Sequence, residues 1–316
     1  GTNNYVQSLT VYNGELIAGG GFTTVNGLAA NGIAKWNGIT WAPLGLGVNS
    51  EVRTLAVFNS ELYAGGHFTS VAGNPIKYIA KWNGSTWSGL GIGVDTFGVL
   101  ALAVYKNELY VGGQFSNAGG FVANYIAKWD NLNWSQVGTG FNNSVNSLMT
   151  FNGELYAGGE FDSTNSLIVN HVAKWNDTTW SSLGLGTNYV VNTLTADTIN
   201  GVVYAGGGFD SAGGNPSLNI AVWNNSTFSI FETTTQHGVS ISPNPFAFET
   251  TINSVEYLKN ATLTIYNSLG SQVKQITNIN GYSYTLKNGD LQNGLYFIHL
   301  VKPTGIVEIQ KIIIKI

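Results

Sequence analysis

Short runs of apolar and β-branched residues, separated by Asn, Gly and Ser, recur along the first 231 residues of the chain. One such unit predicts four strands, over residues 52–58, 61–68, 78–82 and 87–90. Apolar residues occupy both alternating positions of a strand, as in Leu62-Tyr63-Ala64. This pattern is typical of a small sheet that is covered on both faces.

Three landmarks of this unit return every 46 to 48 residues. The first is a Gly-Gly doublet, which begins at Gly19, Gly65, Gly112, Gly158 and Gly206. The second is a phenylalanine shortly after it, at Phe22, Phe68, Phe115, Phe161 and Phe209. The third is a pair of aromatic residues five positions apart, at Trp36 and Trp41, Trp82 and Trp87, Trp129 and Trp134, Trp175 and Trp180, and Trp223 and Phe228. All nine tryptophans lie at these positions, so the chain is built from five copies of one cassette.

The turn between the two tryptophans fixes how the last two strands of a unit pair. A tight reversal centred on Gly84-Ser85 places Asn83 opposite Thr86, and therefore Trp82 opposite Trp87. A four-stranded sheet that repeats at this period predicts a β-propeller blade, because a solenoid with one strand per side would need a much shorter repeat.

The segment Leu62-Tyr63-Ala64-Gly65-Gly66, followed by Trp82 and Trp87, resembles the kelch motif. Kelch units usually have Tyr where Trp82 stands, so the match is degenerate. The resemblance covers residues 1–231 and implies a kelch-like β-propeller with five visible four-stranded blades. A ring of five blades could close on these units, or they belong to a larger array with blades upstream. We favour the larger array, because residues 1–6 align with the connection between two blades at residues 186–191.

The repeat ends at Phe231, and the composition of the chain changes there. Residues 232–238 predict a polar linker, and residues 239–316 contain neither Trp nor the Gly-Gly landmark. Strands are predicted over residues 239–241, 261–266, 272–276, 282–286, 295–301 and 307–316. Short strands with turn signals between them predict a small, Ig-like antiparallel β-sandwich.

This second domain resembles the type A C-terminal sorting domain of type IX secretion substrates. The segments that carry the resemblance are Ser242-Pro243-Asn244-Pro245, Asn267-Ser268-Leu269-Gly270, Leu291-Gln292-Asn293-Gly294-Leu295-Tyr296, and a last strand with Lys311 and Lys315. The resemblance implies that Pro243, Asn244, Pro245, Gly270, Gly294, Tyr296, Lys311 and Lys315 form the sorting signal. It also implies export across the outer membrane of a member of the Bacteroidota, with cleavage expected between residues 232 and 238. The implied partners are the type IX translocon and its outer-membrane shuttle and attachment proteins.

Elementary chemistry gives the same residues structural roles. Pro243 and Pro245 exclude a central strand and favour an extended edge segment. Gly270 and Gly294 are expected in turns that need positive φ. Lysines in the last strand are expected to keep an Ile-rich edge from pairing promiscuously.

The tryptophan pairs are either platforms for sugar stacking or walls between blades. We favour walls, because packing residues repeat from unit to unit whereas binding residues are normally unique. A binding site is therefore expected where the units differ. The residue between the Gly-Gly doublet and Phe varies, and we predict a hydrogen-bonding ligand site near the axis at His67, Gln114 and Glu160. Asp95, Asp162 and His171 are expected on the same face and complete the candidate ligand-binding residues.

Composition and motifs exclude several other functions. The net charge of −4, without a basic cluster, argues against nucleic acid as a partner. The chain has no Cys for thiolate metal sites, no run of apolar residues long enough for a membrane helix, and no loop with three carboxylates. We therefore predict no catalytic residue, metal or cofactor, although a hydrolase using Glu160 with Asp95 or Asp162 stays open.

These features predict a secreted or cell-surface protein that reaches its destination through the periplasm and the outer membrane. The propeller is expected to be a non-catalytic binding or adhesion module for a glycan, a polymer or a protein. The alternatives are a carbohydrate-active hydrolase and a purely structural passenger.

Overall fold

Five similar sheets follow one another along the first part of the chain in the computed structural model. The structure describes residues 1–165, 167–198, 201–224, 239–267, 271–289, 291–302 and 307–315, with the backbone alone at 224 and 307–311. The chain divides into two compact units, Gly1–Thr227 and Phe228–Ile316. The predicted linker at 232–238 and the cleavage point within it lie outside the described residues. Every element of the described residues is a β-strand, so the predicted all-β class is confirmed.

The strands of the first unit fall into five blades. Blade 1 contains β1 (Val6–Tyr12), β2 (Glu15–Gly20), β3 (Thr24–Val25), β4 (Leu28–Ala29), β5 (Ile33–Trp36) and β6 (Trp41–Pro43). Blade 2 contains β7 (Val52–Phe58), β8 (Glu61–Gly66), β9 (Ile79–Trp82) and β10 (Trp87–Gly89). Blade 3 contains β11 (Val99–Tyr105), β12 (Glu108–Gly113), β13 (Asn117–Ala118), β14 (Phe121–Val122), β15 (Ile126–Trp129) and β16 (Trp134–Gln136).

Blade 4 contains β17 (Val145–Phe151), β18 (Glu154–Gly159), β19 (Ser163–Thr164), β20 (Leu167–Ile168), β21 (Val172–Trp175) and β22 (Trp180–Ser182). Blade 5 contains β23 (Val191–Asp197), β24 (Val202–Gly207), β25 (Ser211–Ala212), β26 (Asn215–Pro216) and β27 (Ile220–Asn224). Blades 1 to 4 are four-stranded antiparallel sheets in chain order, which confirms the predicted propeller-like architecture. The fourth strand predicted for blade 5, at Phe228, lies outside the described residues.

The predicted pairing of the tryptophans is confirmed. Trp82 lies opposite Trp87 on neighbouring strands, and their ring centroids are 5.3 Å apart. The side-chain oxygen of Asn83 accepts hydrogen bonds from the main-chain NH groups of Ser85 and Thr86, which holds the reversal between the two strands. The sequence did not reveal the two-stranded ribbons β3–β4, β13–β14, β19–β20 and β25–β26, which lie in the connections predicted as variable loops.

Each glycine of the doublet stands where a side chain would collide with a different neighbour. A Cβ on Gly66 would lie 2.1 Å from the main-chain oxygen of Glu51, directly before the neighbouring strand of the same blade. A Cβ on Gly65 would lie 2.4 Å from Cγ1 of Val99, in the first strand of the next blade. The second glycine therefore permits close strand packing within a blade, and the first permits close packing between blades.

Hydrophobic cores lie between successive blades. The core shared by blades 1 and 2 contains Ile17 and Val52, and the core shared by blades 3 and 4 contains Ile126 and Phe161. The phenylalanine after each doublet is almost fully buried in all five blades. Burial of aromatic and branched side chains at each junction therefore holds the array together.

The second unit contains five strands in one antiparallel network. They are β28 (Val239–Ser242), β29 (Glu249–Asn267), β30 (Gln272–Lys287), β31 (Gly294–Val301) and β32 (Val307–Ile314). The order is β28-β29-β31-β32, and β30 pairs with β29 along both of its halves. Shifts of register between Asn253 and Leu263 interrupt the long strands, and one core contains residues from both halves, such as Ile252 and Ile265. The strands predicted separately at 272–276 and 282–286 are one strand, because residues 277–281 continue the pairing instead of turning back.

Candidate functional site

The first strand of every blade carries one bulged residue. The pairing with the second strand shifts between Val52 and Thr54 in blade 2, and Arg53 is the extra residue there. The same irregularity occurs in the other four blades, and it produces the equivalent bulged residues Gln7, Leu100, Asn146 and Asn192. The bulge is thus part of the repeated cassette, whereas the side chain that it presents is Gln, Arg or Leu in blades 1 to 3 and Asn in blades 4 and 5.

All five bulged residues line one cavity, which has a volume of about 550 Å³. A cavity that touches the equivalent residue of every blade lies on the common centre of the five sheets. Its remaining lining residues are Gln114, Ser147, Glu160 and Thr193. We call this space the central cavity. Its volume is within the range of cavities that bind small ligands.

The central cavity has an unusual chemical lining for the centre of an apolar repeat. Four carboxamides face it, from Gln7, Gln114, Asn146 and Asn192, together with two hydroxyl groups. Arg53 contributes one positive charge and Glu160 one negative charge. Carboxamides present both donors and acceptors, so this surface is suited to a ligand rich in hydroxyl or amide groups.

Two of the predicted ligand residues meet in this cavity. Gln114 and Glu160 both line it, as expected from their position between the Gly-Gly doublet and Phe. His67 occupies the same position in blade 2 but is not among the lining residues. Its Nδ1 lies 2.6 Å from Oε1 of Glu51, and Nε of Arg53 lies 3.3 Å from the same oxygen. His67 therefore reaches the cavity only indirectly, through Glu51 and Arg53.

Glu51 is the centre of a polar cluster beside the central cavity. The Tyr5 hydroxyl donates a hydrogen bond of 2.6 Å to its Oε2, in addition to the contacts with His67 and Arg53. Burial opposes ionisation of Glu51, but the hydrogen bonds from Tyr5 and His67 and the charge of Arg53 outweigh it, so the pKa of Glu51 lies below its ordinary value. The cluster therefore holds Arg53 beside a carboxylate.

Asp95 and Asp162 lie outside the central cavity, in the contact between a blade-to-blade connection and the loop after the second strand. Asp95 accepts hydrogen bonds from the main-chain NH groups of Ser116 and Asn117. Asn49 and Asn142 do the same for the loops that follow β8 and β18 in their blades. Asp162 accepts a hydrogen bond of 2.7 Å from the Asn142 side chain. These two aspartates belong to a contact that every blade repeats. Neither lines the central cavity, so neither faces it together with Glu160.

His171 also lies away from the central cavity. Its main-chain NH donates to Phe161, and its main-chain oxygen accepts from Gly159. Burial lowers the pKa of its imidazole, and Nδ1 is buried without a hydrogen-bond partner. Its φ of 69° matches Tyr78 and Tyr125 at the equivalent position, so the backbone there belongs to the cassette.

The five bulged residues were not predicted, although the sequence contains a signal for them. Each directly follows a valine that recurs in every unit, Val6, Val52, Val99, Val145 and Val191. The residue after this valine varies as much as the residue after the Gly-Gly doublet. The rule that a site lies where the units differ therefore applies to both positions.

A lysine of the third strand and a glutamate of the second strand form an ion pair in each of blades 1 to 4. Lys81 contacts Glu61 at 2.8 Å across the second and third strands of blade 2. Equivalent pairs join Lys35 with Glu15, Lys128 with Glu108, and Lys174 with Glu154. Because they recur in four blades, they are features of the scaffold.

The signature residues of the second unit meet where the last strand ends. The Asn244 side-chain oxygen accepts a hydrogen bond of 2.8 Å from the main-chain NH of Ile313. The main-chain NH of Phe246 donates to the oxygen of Ile313, and Thr250 donates to the oxygen of Pro243. The segment from Pro243 to Phe246 thus lies along the free side of β32 and covers part of the Ile-rich edge.

The other predicted sorting residues lie on the adjoining strand or outside the described part. Tyr296 is buried opposite Ile312, and its hydroxyl donates to the main-chain oxygen of Gln292. Gly294 pairs with Ile314 at the start of β31 and lacks a positive φ, so the expected turn role is wrong there. Lys315 is exposed. Gly270 and the Lys311 side chain lie outside the described residues.

Metal clusters and membrane helices are both absent from the described residues. In the part of the chain that the structure describes, no group of three or more His, Asp and Glu side chains is arranged to hold a metal ion. Within the same ranges, no helix has the length and apolarity needed to cross a lipid bilayer.

Comparison with known proteins identifies the second unit. Residues 240–315 match the family model of the secretion system C-terminal sorting domain. The predicted export signal is thereby confirmed: the protein carries a type IX secretion signal and is directed to the cell surface or secreted. No curated protein matches the chain.

Several solved structures are similar to the chain at low identity. PorZ, a surface component of the type IX secretion system of Porphyromonas gingivalis, is 13% identical, with 98% of this chain and 45% of that chain covered and a TM-score of 0.42. The extracellular domain of a one-component system from B. thetaiotaomicron is 12% identical, with 100% and 57% covered and a TM-score of 0.32. The chain thus spans about half the length of these structures.

Proposed function

We propose that the propeller is a non-catalytic binding module that takes a hydroxyl-rich ligand, such as a glycan segment, in the central cavity. The observation that carries this proposal is the convergence of five bulged residues, of four different types, on one cavity. The backbone around them repeats in every blade, whereas the side chains that face the cavity are the same only in blades 4 and 5. Such a difference is what a rigid scaffold with a specific ligand requires.

The chemistry of the lining supports a polyhydroxylated ligand over an apolar or highly charged one. Carboxamides such as Gln114 and Asn146 can both donate to and accept from sugar hydroxyls. Arg53 and Glu160 contribute opposite charges, so the cavity has no strong preference for an anion or a cation. Leu100 offers one apolar contact to a sugar face.

The same lining supports binding over hydrolysis. Glycoside hydrolysis generally needs two carboxyl groups on either side of the scissile bond. Glu160 is the single carboxyl group among the described residues that line the cavity. The hydrolase alternative needs a second carboxylate beside Glu160, and Asp95 and Asp162 are engaged with main-chain and side-chain NH groups elsewhere.

The finer assignments of the export system belong to the same proposal. The cassette is of the kelch type, the protein comes from a member of the Bacteroidota, and the sorting domain engages the type IX translocon and its outer-membrane attachment proteins. The binding module then acts at the cell surface as an adhesin-like or accessory component. The resemblance of the cassette and the position of the sorting domain after it support these assignments.

A glycan array with the full chain tests the proposal, and a hydrolysis screen on the same glycans accompanies it. We expect binding of at least one glycan class without turnover. Gln114→Ala should weaken that binding about tenfold, which corresponds to the loss of one or two hydrogen bonds. Gln136→Ala is the matched control, because Gln136 lies in the same blade but not in the central cavity. Equal effects of the two substitutions, or turnover that Glu160→Gln abolishes, would contradict the proposal.

A further inference from the structure

The four junctions between blades repeat one contact. A valine and a leucine of the first strand of one blade lie against the first glycine of the doublet in the preceding blade. A Cβ on Gly112 would lie 2.6 Å from Cγ1 of Val145 and 3.3 Å from Cδ1 of Leu148. Gly19, Gly65 and Gly158 meet the valine of the following blade at 2.4 to 2.6 Å. We call the valine and leucine side of a blade its leading face and the glycine side its trailing face.

The leading face of blade 1 has no cover among the described residues. Val6 is 42% exposed and Leu9 is 58% exposed, whereas the equivalent Val52 and Leu55 of blade 2 are 0% and 8% exposed. Trp41 is half-buried, whereas the equivalent tryptophans of blades 2 to 4 are buried. Blade 1 thus exposes apolar side chains that the other blades bury against a neighbour.

The trailing face of blade 5 is uncovered in the same way. Ile220 is 64% exposed, and the equivalent Ile126 of blade 3 is 0% exposed. A Cβ on Gly206 would meet only atoms of its own blade, the nearest being Cγ2 of Thr193 at 3.1 Å. No described residue of another blade occupies the place that Val145 takes against Gly112.

The two uncovered faces are complementary halves of one interface, and they border the same space. Gln7 of blade 1 and Asn192 of blade 5 both line the central cavity, so the gap lies between the first and last blades of the array. An occupant of this gap has to offer a leading face to blade 5 and a trailing face to blade 1. A second copy of the five-bladed unit cannot do this with one blade, because each of its end blades has only one free face.

We propose that the gap between blade 5 and blade 1 is a docking surface for a further blade of the same cassette. Its Val-x-x-Leu first strand covers Gly206 and Ile220, and its Gly-Gly doublet lies under Val6 and Leu9. The proposal continues the interface already formed at four junctions, and it is independent of what the central cavity binds.

Thiol labelling measures the exposure of these faces, because the chain has no cysteine of its own. Full chains are prepared with single substitutions Leu9→Cys or Ile220→Cys, with Leu55→Cys and Ile126→Cys as matched buried controls. We expect the first pair to react with a maleimide at least about tenfold faster than the controls in a monomeric chain. The same two variants are then extended by one, two or three copies of residues 47–92 ahead of Gly1, so that Gly1 takes the place of Gly93. Labelling should fall to the rate of the controls at the copy number that fills the gap.

A second comparison does not depend on the extended chains. Gly112→Ala should lower the urea midpoint of unfolding, because its Cβ collides with Val145 at 2.6 Å, whereas Gly206→Ala, whose Cβ meets Thr193 at 3.1 Å, should lower it much less. Slow labelling of Leu9→Cys in an unextended monomer, with equal effects of both alanines, would mean that blades 1 and 5 close on each other, which overturns the proposal. Slow labelling in a dimer would assign the faces to a second copy and overturn it as well. The proposal is also overturned if the extended chains fold but Leu9→Cys and Ile220→Cys still react as fast as in the unextended chain.

Discussion

The indole Nε1 of Trp134 in blade 3 donates a hydrogen bond of 2.9 Å to the main-chain oxygen of Leu90 at the end of blade 2. The Trp180 indole makes the equivalent bond of 3.3 Å to Val137, one junction later. A Cβ on Gly91 would lie within 4.0 Å of both Trp129 and Trp134, so the tryptophan pair lies against the preceding blade. The tryptophans therefore wall the junctions between blades, as their recurrence predicted.

Substitution of Trp134 should reveal how much one wall contributes. Trp134→Ala should lower the free energy of unfolding by about 3 to 5 kcal/mol, because it leaves a cavity at a buried junction. Trp134→Phe keeps an aromatic ring but loses the hydrogen bond to Leu90. It should lower the free energy of unfolding by about 1 kcal/mol beyond the loss caused by the smaller side chain. Urea denaturation of the full chain measures both.

Trp41 provides the control for this series. It occupies the equivalent position in blade 1 but is half-buried, since no described blade precedes it. Trp41→Ala should cost about 1 to 2 kcal/mol. A cost equal to that of Trp134→Ala would contradict the view that the tryptophans act by packing against a preceding blade.

The cluster around Glu51 predicts a dependence of stability on pH. The pKa of Glu51 in the folded chain lies below its ordinary value of 4.5, so its ionised form stabilises the fold at higher pH. This contribution is fully present above about pH 4.5 and is lost as the pH falls through the lower pKa of the folded state. Glu51→Gln should reduce the free energy of unfolding by about 1 kcal/mol at pH 7.

The difference between wild type and Glu51→Gln should shrink as the pH falls from 5 to 3, which urea denaturation at several pH values measures. Glu154→Gln is a suitable comparison, because the pKa of Glu154 is also lowered, against the effect of burial, by hydrogen bonds from Lys174 and Tyr156. A difference for Glu51→Gln that stays constant between pH 7 and pH 3 would show that its carboxylate charge does not stabilise the cluster.

Asn244 should matter for export through the fold of the sorting unit. Asn244→Ala removes the acceptor of the Ile313 main-chain NH and should destabilise the second unit by about 1 kcal/mol or more. We expect less of the full chain outside cells of a type IX-competent host, measured by quantitative immunoblotting of the medium and the cell surface. Ser283→Ala, at an exposed position of β30 away from the signature segments, should export normally.

Normal export of Asn244→Ala, with a sorting unit that is measurably less stable, would show that the link between Asn244 and the last strand is unimportant for the secretion machinery.

The cassette could be predicted from the sequence because it depends on local rules. The Asn83-Gly84-Ser85-Thr86 turn and the facing tryptophans follow from neighbouring residues alone. The Gly-Gly doublet is also visible in the sequence, but the steric requirement for glycine differs between its two positions. Only the structure shows that Gly65 faces the next blade and Gly66 its own.

The candidate site was only partly predictable, because it depends on how the blades converge. Gln114 and Glu160 were predicted because their position varies between units. Arg53 and its counterparts face the cavity because of a β-bulge that residue preferences do not predict. Asp95 and Asp162 share the polar character of ligand residues, but their side chains take part in the hydrogen bonds between a blade-to-blade connection and the loop after the second strand. His67 was placed by periodicity, and its contact with Glu51 draws it away from the cavity.

The convergence of the five blades on a shared centre is tested most directly by distances between spin labels. Each double-cysteine variant carries one spin label at Ile39 in blade 1 and a second at Ser85, Leu132 or Thr178. These are exposed residues at equivalent turns of blades 2, 3 and 4. Pulsed electron paramagnetic resonance should give distances that rise from blade 2 to blade 3 and then level off towards blade 4, as chords of a ring do. Distances that grow in equal steps from blade to blade would show a linear stack and would contradict the account.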